Sequence, residues 1–119
     1  MEYDLAQCEK EGGYLAEVGT AAENQWLFQT FVAATFSEED CPKYYSCAIW
    51  IGGNDLKQEG HFVWSHNNNT IPLTNGLWLT GRPNDFKKEQ DCLAITHSSG
   101  LWNDLSCSTE RPFICEFEF

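Results

Sequence analysis

The chain has 119 residues, 42% hydrophobic and 14% aromatic, which is the length and apolar content of one domain with a real core and excludes intrinsic disorder. Eighteen acids against seven bases leave a formal net charge of −11, so a phosphate backbone is repelled and no nucleic acid partner is expected. No apolar run reaches membrane-spanning length, so no membrane insertion is expected, and the acidic excess reads first as a solubility device.

Residues 3–10 read as a helix with Leu5 and Cys8 on one face, stopped by Gly12 and Gly13. The run YLAEV follows as a short apolar segment. Thr20 with Glu23 forms a capping box ahead of a second helix, which carries Leu27, Phe28, Phe31 and Val32 as a core-facing stripe. The run CPKYYSC is a turn-rich loop. AIWIGG and HFVWS read as strands, and CLAIT and FICEFEF as two more. Between Ser65 and Gln90 lies a long stretch rich in Asn, Gly, Thr, Pro and Asp, and a loop of that length in a compact domain is usually functional. Two early helices followed by short strands around a long loop give an α+β fold with a small antiparallel sheet. No repeat, low-complexity segment or linker divides the chain, so residues 1–119 are expected to form a single domain.

The six cysteines are even in number and show no zinc-type spacing, so disulfides in an oxidising compartment are expected. No signal peptide precedes the domain, and the expectation is a mature or truncated secreted form. Asn68-Asn69-Thr70 is a glycosylation sequon. Trp26, Trp50, Trp64, Trp78 and Trp102 read as core or near-core anchors rather than sugar platforms. His61, His66 and His97 have no nucleophile to activate, and His61 reads as a structural residue within a strand. Asp85 and Asp91 carry no sign of a glycosidase pair. No enzyme is expected.

The stretch GRPNDFKKEQDC, residues 81–92, gathers Asn84, Asp85, Glu89, Gln90 and Asp91, which is a supply of oxygen ligands of the kind a hard cation takes. It also contains Arg82, whose guanidinium is always charged and has no lone pair to give.

In order and at fitting distances the chain carries YDLAQCEKEGGYLAEV, WIGGND, EGHFVW, the xPN tripeptide of GRPND, QDC, WNDLSC and FICE. Together these resemble the C-type lectin-like domain over nearly the whole chain. The resemblance implies a C-type lectin-like fold with two helices, small antiparallel sheets and a long irregular binding loop. It implies Cys8–Cys115 and Cys92–Cys107 as disulfides. Cys41 and Cys47 lie outside the family's core pattern, with a local bridge or an inter-chain bond as the alternatives. The family usually has another strand before the first helix, and this chain begins too late for it.

In sugar-binding members one calcium bridges protein and glycan, with sugar hydroxyls coordinating the metal and hydrogen-bonding to its ligands. By resemblance those ligand positions are Arg82, Asn84, Gln90, Asn103 and Asp104. Asn84, Asn103 and Asp104 suit a cation, Gln90 offers an uncharged carbonyl oxygen, and Arg82 cannot coordinate. A divalent ion about 5 Å from that guanidinium is repelled by roughly 6–7 kcal/mol at an effective dielectric near 20. The sugar site is therefore expected to need no calcium, with the guanidinium in the cation's role. Some invertebrate members similar to this one in having a basic residue ahead of the proline are calcium-independent lectins favouring N-acetylated hexosamines. Phe86 and His97 are candidates to flank a sugar, and the resemblance implies a cis Pro83.

The family's auxiliary calcium site falls on Asp55, Glu59, Asp85, Gln90 and Asp91, of which Asp55, Glu59, Asp85 and Asp91 are carboxylates. Calcium is a candidate there, against the simpler reading that acids beside glycine in turns bond the backbone. The expected partners are glycans of the N-acetylhexosamine type. A homodimer or related heterodimer is expected, because weak sugar sites gain from avidity. The expected role is recognition of microbial or glycoprotein surfaces. The competing expectation is a lectin-like module that binds a protein, a mineral or an ice surface.

Overall fold

The computed structural model describes residues 2–37, 39, 41, 47–79, 81, 83 and 91–117. Helix α1 (Glu2–Lys10) ends as its sequence dictates: Gly12 takes φ +89° and the Gly13 N–H returns to the Cys8 carbonyl at 2.8 Å. Strand β1 (Tyr14–Leu15) follows and pairs antiparallel with β6 (Cys115–Glu116), so the two ends of the described chain meet. The Cys8–Cys115 disulfide fastens that junction across 107 residues, a closure that contributes about 4–5 kcal/mol in the chain-entropy account.

Helix α2 (Ala21–Leu27) opens on the expected capping box: Thr20 Oγ1 accepts the Glu23 N–H at 3.1 Å and the Glu23 carboxylate reaches back to the Gly19 N–H. It continues through a π-helical turn (Phe28–Val32) into α3 (Ala33–Thr35). That turn departs from the expected stripe. Leu27 and Val32 are buried and Phe28 packs on the core, but Phe31 is 38% exposed. A π turn holds more residues than a 3.6-residue helix does, so faces assigned from the α period no longer apply beyond it. Trp26, expected in or near the core, is 59% exposed and meets Phe31 edge-on at 5.7 Å. Trp50, Trp64, Trp78 and Trp102 are buried as expected.

The main sheet runs β3-β2-β4-β5, all neighbours antiparallel. Strand β2 is Ala48–Asn54, β3 is Val63–Trp64, β4 is Cys92–Thr96 and β5 is Trp102–Leu105. HFVWS thus contributes two strand residues and FICEFEF also two, while the strand in WNDL was not expected. His61 lies outside β3 and is exposed, which corrects its reading as a strand residue. One face of the sheet joins α2 through Ile51, Leu93, Ile95 and Trp102, and the other holds Trp50, Ala94 and Leu105. The Cys92–Cys107 bridge clamps the start of β4 to the end of β5, and Cys41 pairs with Cys47 within the chain rather than between chains. By loop length these bridges contribute about 3 and about 2 kcal/mol.

Candidate carbohydrate and cation site

Strand pairing decides what the site can contain. In the β4–β5 ladder Leu93 faces Asp104 and Ala94 faces Asn103. This sets the Asn-Asp pair beside the start of β4, which follows Asp91. Both side chains are deeply buried, Asn103 at 2% exposure and Asp104 at 0%. Asn103 Oδ1 finds no hydrogen-bond partner among the described residues. A buried amide oxygen without a donor is unfavourable by about 1–3 kcal/mol, so it is an acceptor waiting for a ligand, a cation or an N–H from the adjoining loop.

Arg82, Asn84, Gln90 and Phe86, the other expected sugar contacts, lie outside the described residues, as does Asp85 of the expected cation set. His97 does not join this site. It follows the end of β4, about 10 Å along the strand from Ala94, the residue opposite Asn103, at 3.4 Å per residue. Its ring meets Phe36 edge-on at 6.1 Å.

The second cluster is built by a turn. Asp55 leaves β2 with its N–H on the Asp91 carbonyl at 3.0 Å, which draws Asp91 alongside. The Gly60 N–H, at a φ of +82° that favours glycine, donates to Asp55 Oδ2 at 2.9 Å and to Glu59 Oε2 at 3.1 Å. One donor thus holds two carboxylates together. Asp55, Glu59 and Asp91 each offer a carboxylate oxygen, all within 4.8 Å of one another. Asp55 is buried, and its Oδ1 has no hydrogen-bond partner among the described residues. Burial pushes its carboxyl up to about 8. Hydrogen bonds shared with Glu59 and Asp91 and the negative charge of Asp91 add to the rise, while the Gly60 N–H pulls the other way. Backbone bonding explains part of this turn, as the simpler reading held, but not the gathering of three carboxylates within reach of one another. An all-oxygen set of this kind fits a hard divalent cation such as calcium.

One contributor was not foreseen. Asn24 of α2 is 5% exposed and bonds both Trp102 Nε1 and the Gly100 carbonyl, so it positions β5. Its signal in the sequence was a polar residue three positions before Leu27, within the apolar stripe.

Comparison with known proteins gives the setting for these clusters. Residues 4–117 match the family model described as the lectin C-type domain. The chain belongs to the C-type lectin domain family. Collectin-11 of Danio rerio is 34% identical over 112 residues, covering 93% of this chain and 36% of that protein. Lectin BRA-3 of Megabalanus rosa is 32% identical over 107 residues, covering 88% of this chain and 56% of that one. The chain therefore spans from about a third to somewhat over half of these relatives. The structure of the mouse scavenger receptor C-type lectin carbohydrate-recognition domain superposes with a TM-score of 0.76 at 25% identity, covering 99% of this chain and 81% of that one. Membership makes this a C-type lectin-like carbohydrate-recognition domain, a non-enzymatic fold. Among the described residues no helix is long and apolar enough to cross a membrane.

Proposed function

We propose that this C-type lectin domain binds glycans through a site centred on Arg82, Asn84, Gln90, Asn103 and Asp104, with Phe86 beside it. The unbonded, buried Asn103 Oδ1 next to Asp104 carries the reading, since both stand on β5 where the resemblance set out above puts ligand positions. The Arg82 guanidinium supplies the positive charge and N–H donors that a metal would otherwise provide, so sugar binding requires no calcium. N-acetylated hexosamines are the favoured class because their acetamido carbonyl is a strong acceptor for those donors. Calcium belongs instead to the auxiliary position of Asp55, Glu59 and Asp91, completed by Asp85, where it would steady the turn and the loop entering β4. The domain works as a secreted protein in innate recognition of glycan surfaces, with sites paired in a dimer so that weak single contacts add.

Isothermal titration with N-acetylgalactosamine and N-acetylglucosamine, first in calcium and then in EDTA, tests this. Binding that persists in EDTA is the expected result. Binding abolished by EDTA would return the metal to the sugar site. No binding in either buffer would favour the non-sugar module, for which the charge of −11 suits a mineral surface.

A further inference from the structure

The outer face of α2 carries rings that the fold leaves in solvent. Trp26 is 59% exposed, Phe31 and Phe117 are each 38% exposed, and the first two meet edge-on. They line a groove of about 400 Å³ between α2 and β6, floored by Leu27 and Ile114. Single exposed apolar residues are ordinary on a surface, but three rings sharing one groove mark an interaction site. Asn24 and Trp26 are two residues apart, so they point to opposite sides of α2. The groove thus lies away from the β4–β5 contact, and it shares no residue with the glycan or cation positions.

Its edge is acidic. Glu17, Glu23 and Glu116 line it, and no Lys or Arg is among the described residues that do. Two of these acids are held by the fold. Glu116 accepts the Tyr14 hydroxyl at 3.0 Å and the Glu17 N–H at 3.1 Å, and Glu23 caps α2. The charge therefore stands at a fixed place rather than on free-swinging chains.

We propose that this groove docks a basic amphipathic segment of another protein, with apolar side chains between the three rings and Lys or Arg against the glutamates. Charge selects that occupant. A second copy of this chain brings its own net charge of −11 to an acidic edge, and an anionic lipid surface is repelled in the same way. A cationic side chain laid over the exposed Trp26 indole gains a cation–π contact as well.

The test is titration of the chain with a synthetic amphipathic helix of about 15 residues, Leu and Phe on one face and Lys on the other. A twin with Glu in place of Lys is the control. The lysine peptide should bind the wild type, and its twin should bind at least about tenfold more weakly. The Trp26→Ser/Phe31→Ser variant, and Trp26→Gln should the double change fail to fold, should lose at least about tenfold in affinity for the lysine peptide at unchanged net charge. Trp26→Gln should keep a melting temperature near that of the wild type, because that ring is mostly exposed, and the double variant should lose only a few degrees, since Phe31 is partly buried. Equal affinity of wild type and variants would mean diffuse attraction to an acidic protein and overturn the proposal. Equal binding of the two peptides would do the same. Sedimentation showing a dimer that Trp26→Gln dissolves would make a second copy the occupant instead. Binding to phosphatidylcholine vesicles that Trp26→Gln abolishes would assign the groove to lipid.

Discussion

Trp102 Nε1 donates to Asn24 Oδ1 at 2.8 Å, and Asn24 Nδ2 donates in turn to the Gly100 carbonyl at 2.7 Å. One buried amide thus ties α2 to the β4–β5 hairpin, a residue ahead of the Asn103-Asp104 pair. Asn24→Ala strands an indole N–H and a carbonyl in the core, so stability should fall by about 2–4 kcal/mol. Asn24→Asp keeps the acceptor but sets a carboxylate against the Gly100 oxygen, and should be no milder. Urea unfolding midpoints measure both. A midpoint within error of the wild type for Asn24→Ala would show that α2 docks by apolar contact alone.

The helices, β2 and β4 were legible because each rests on local chemistry, whereas Cys8–Cys115 and Cys92–Cys107 were implied only by the family resemblance and Cys41–Cys47 stayed open between a local and an inter-chain bond. Thr20 and Glu23 announce their cap, Gly12 its left-handed stop, and the short apolar run of AIWIGG its buried strand. What escaped depends on contacts distant in sequence. WNDL, with two polar residues in four, becomes a strand only because β4 supplies its partner. Phe31 was misplaced because the π turn is not encoded in any 3.6-residue periodicity, and Trp26, which precedes that turn, because its place was read from residue type alone. The Asp55–Glu59–Asp91 cluster was named residue by residue, but its cause, a single Gly60 N–H holding two carboxylates, is a three-dimensional fact.

Gly52 gives a prediction about packing. A Cβ there would sit 2.8 Å from the Leu15 carbonyl oxygen and 3.2 Å from that of Ala16, both backbone atoms that cannot swing aside. The absent side chain lets the Gly52 N–H reach the Ala16 carbonyl at 2.9 Å and draws the β1–β6 pair onto β2. Gly52→Ala should therefore destabilise the domain by about 1–3 kcal/mol through forced displacement of that segment. Calorimetry would register this as a drop of several degrees in melting temperature. An unchanged melting temperature would mean that the β1 segment floats free of the sheet.

Asp55 gives a prediction about pH. An acid whose folded pKa is raised is held protonated by the fold, so its stabilising contribution is present below the ordinary value of 3.8 and is lost as pH climbs toward about 8. Without calcium the wild type should thus lose stability between pH 4 and 8 through this group, by up to roughly several kcal/mol. Asp55→Asn removes the ionisation, and its melting temperature should lie above that of the wild type at pH 8 in EDTA. Added calcium should reverse the order by stabilising the wild type alone, more strongly at pH 8 than at pH 5, because the ion must displace the Asp55 proton. Thermal melts at the two pH values, with and without calcium, would decide. Equal calcium stabilisation of Asp55→Asn would remove Asp55 from the cation set.

Arg82 gives the prediction on which the glycan reading turns. On the proposed reading, positions 82 and 90 carry an arginine and a glutamine where the resembled pattern would place acids. A divalent ion beside that group is opposed by several kcal/mol, whereas acceptors on a sugar are attracted to it. Arg82→Glu removes the repulsion and restores an acid at one step. Metal-free glycan affinity should fall by at least about tenfold, and calcium affinity should rise with it, even with Gln90 unchanged. Arg82→Gln separates the two effects, since it removes the positive charge without adding a ligand anion and should weaken metal-free binding while leaving calcium binding poor. Titrations of both variants with N-acetylgalactosamine, in EDTA and in calcium, read the pair of changes directly. If glycan binding in EDTA survives Arg82→Glu undiminished, the guanidinium stands outside the site, and Asn103 and Asp104 must meet the sugar by some other arrangement.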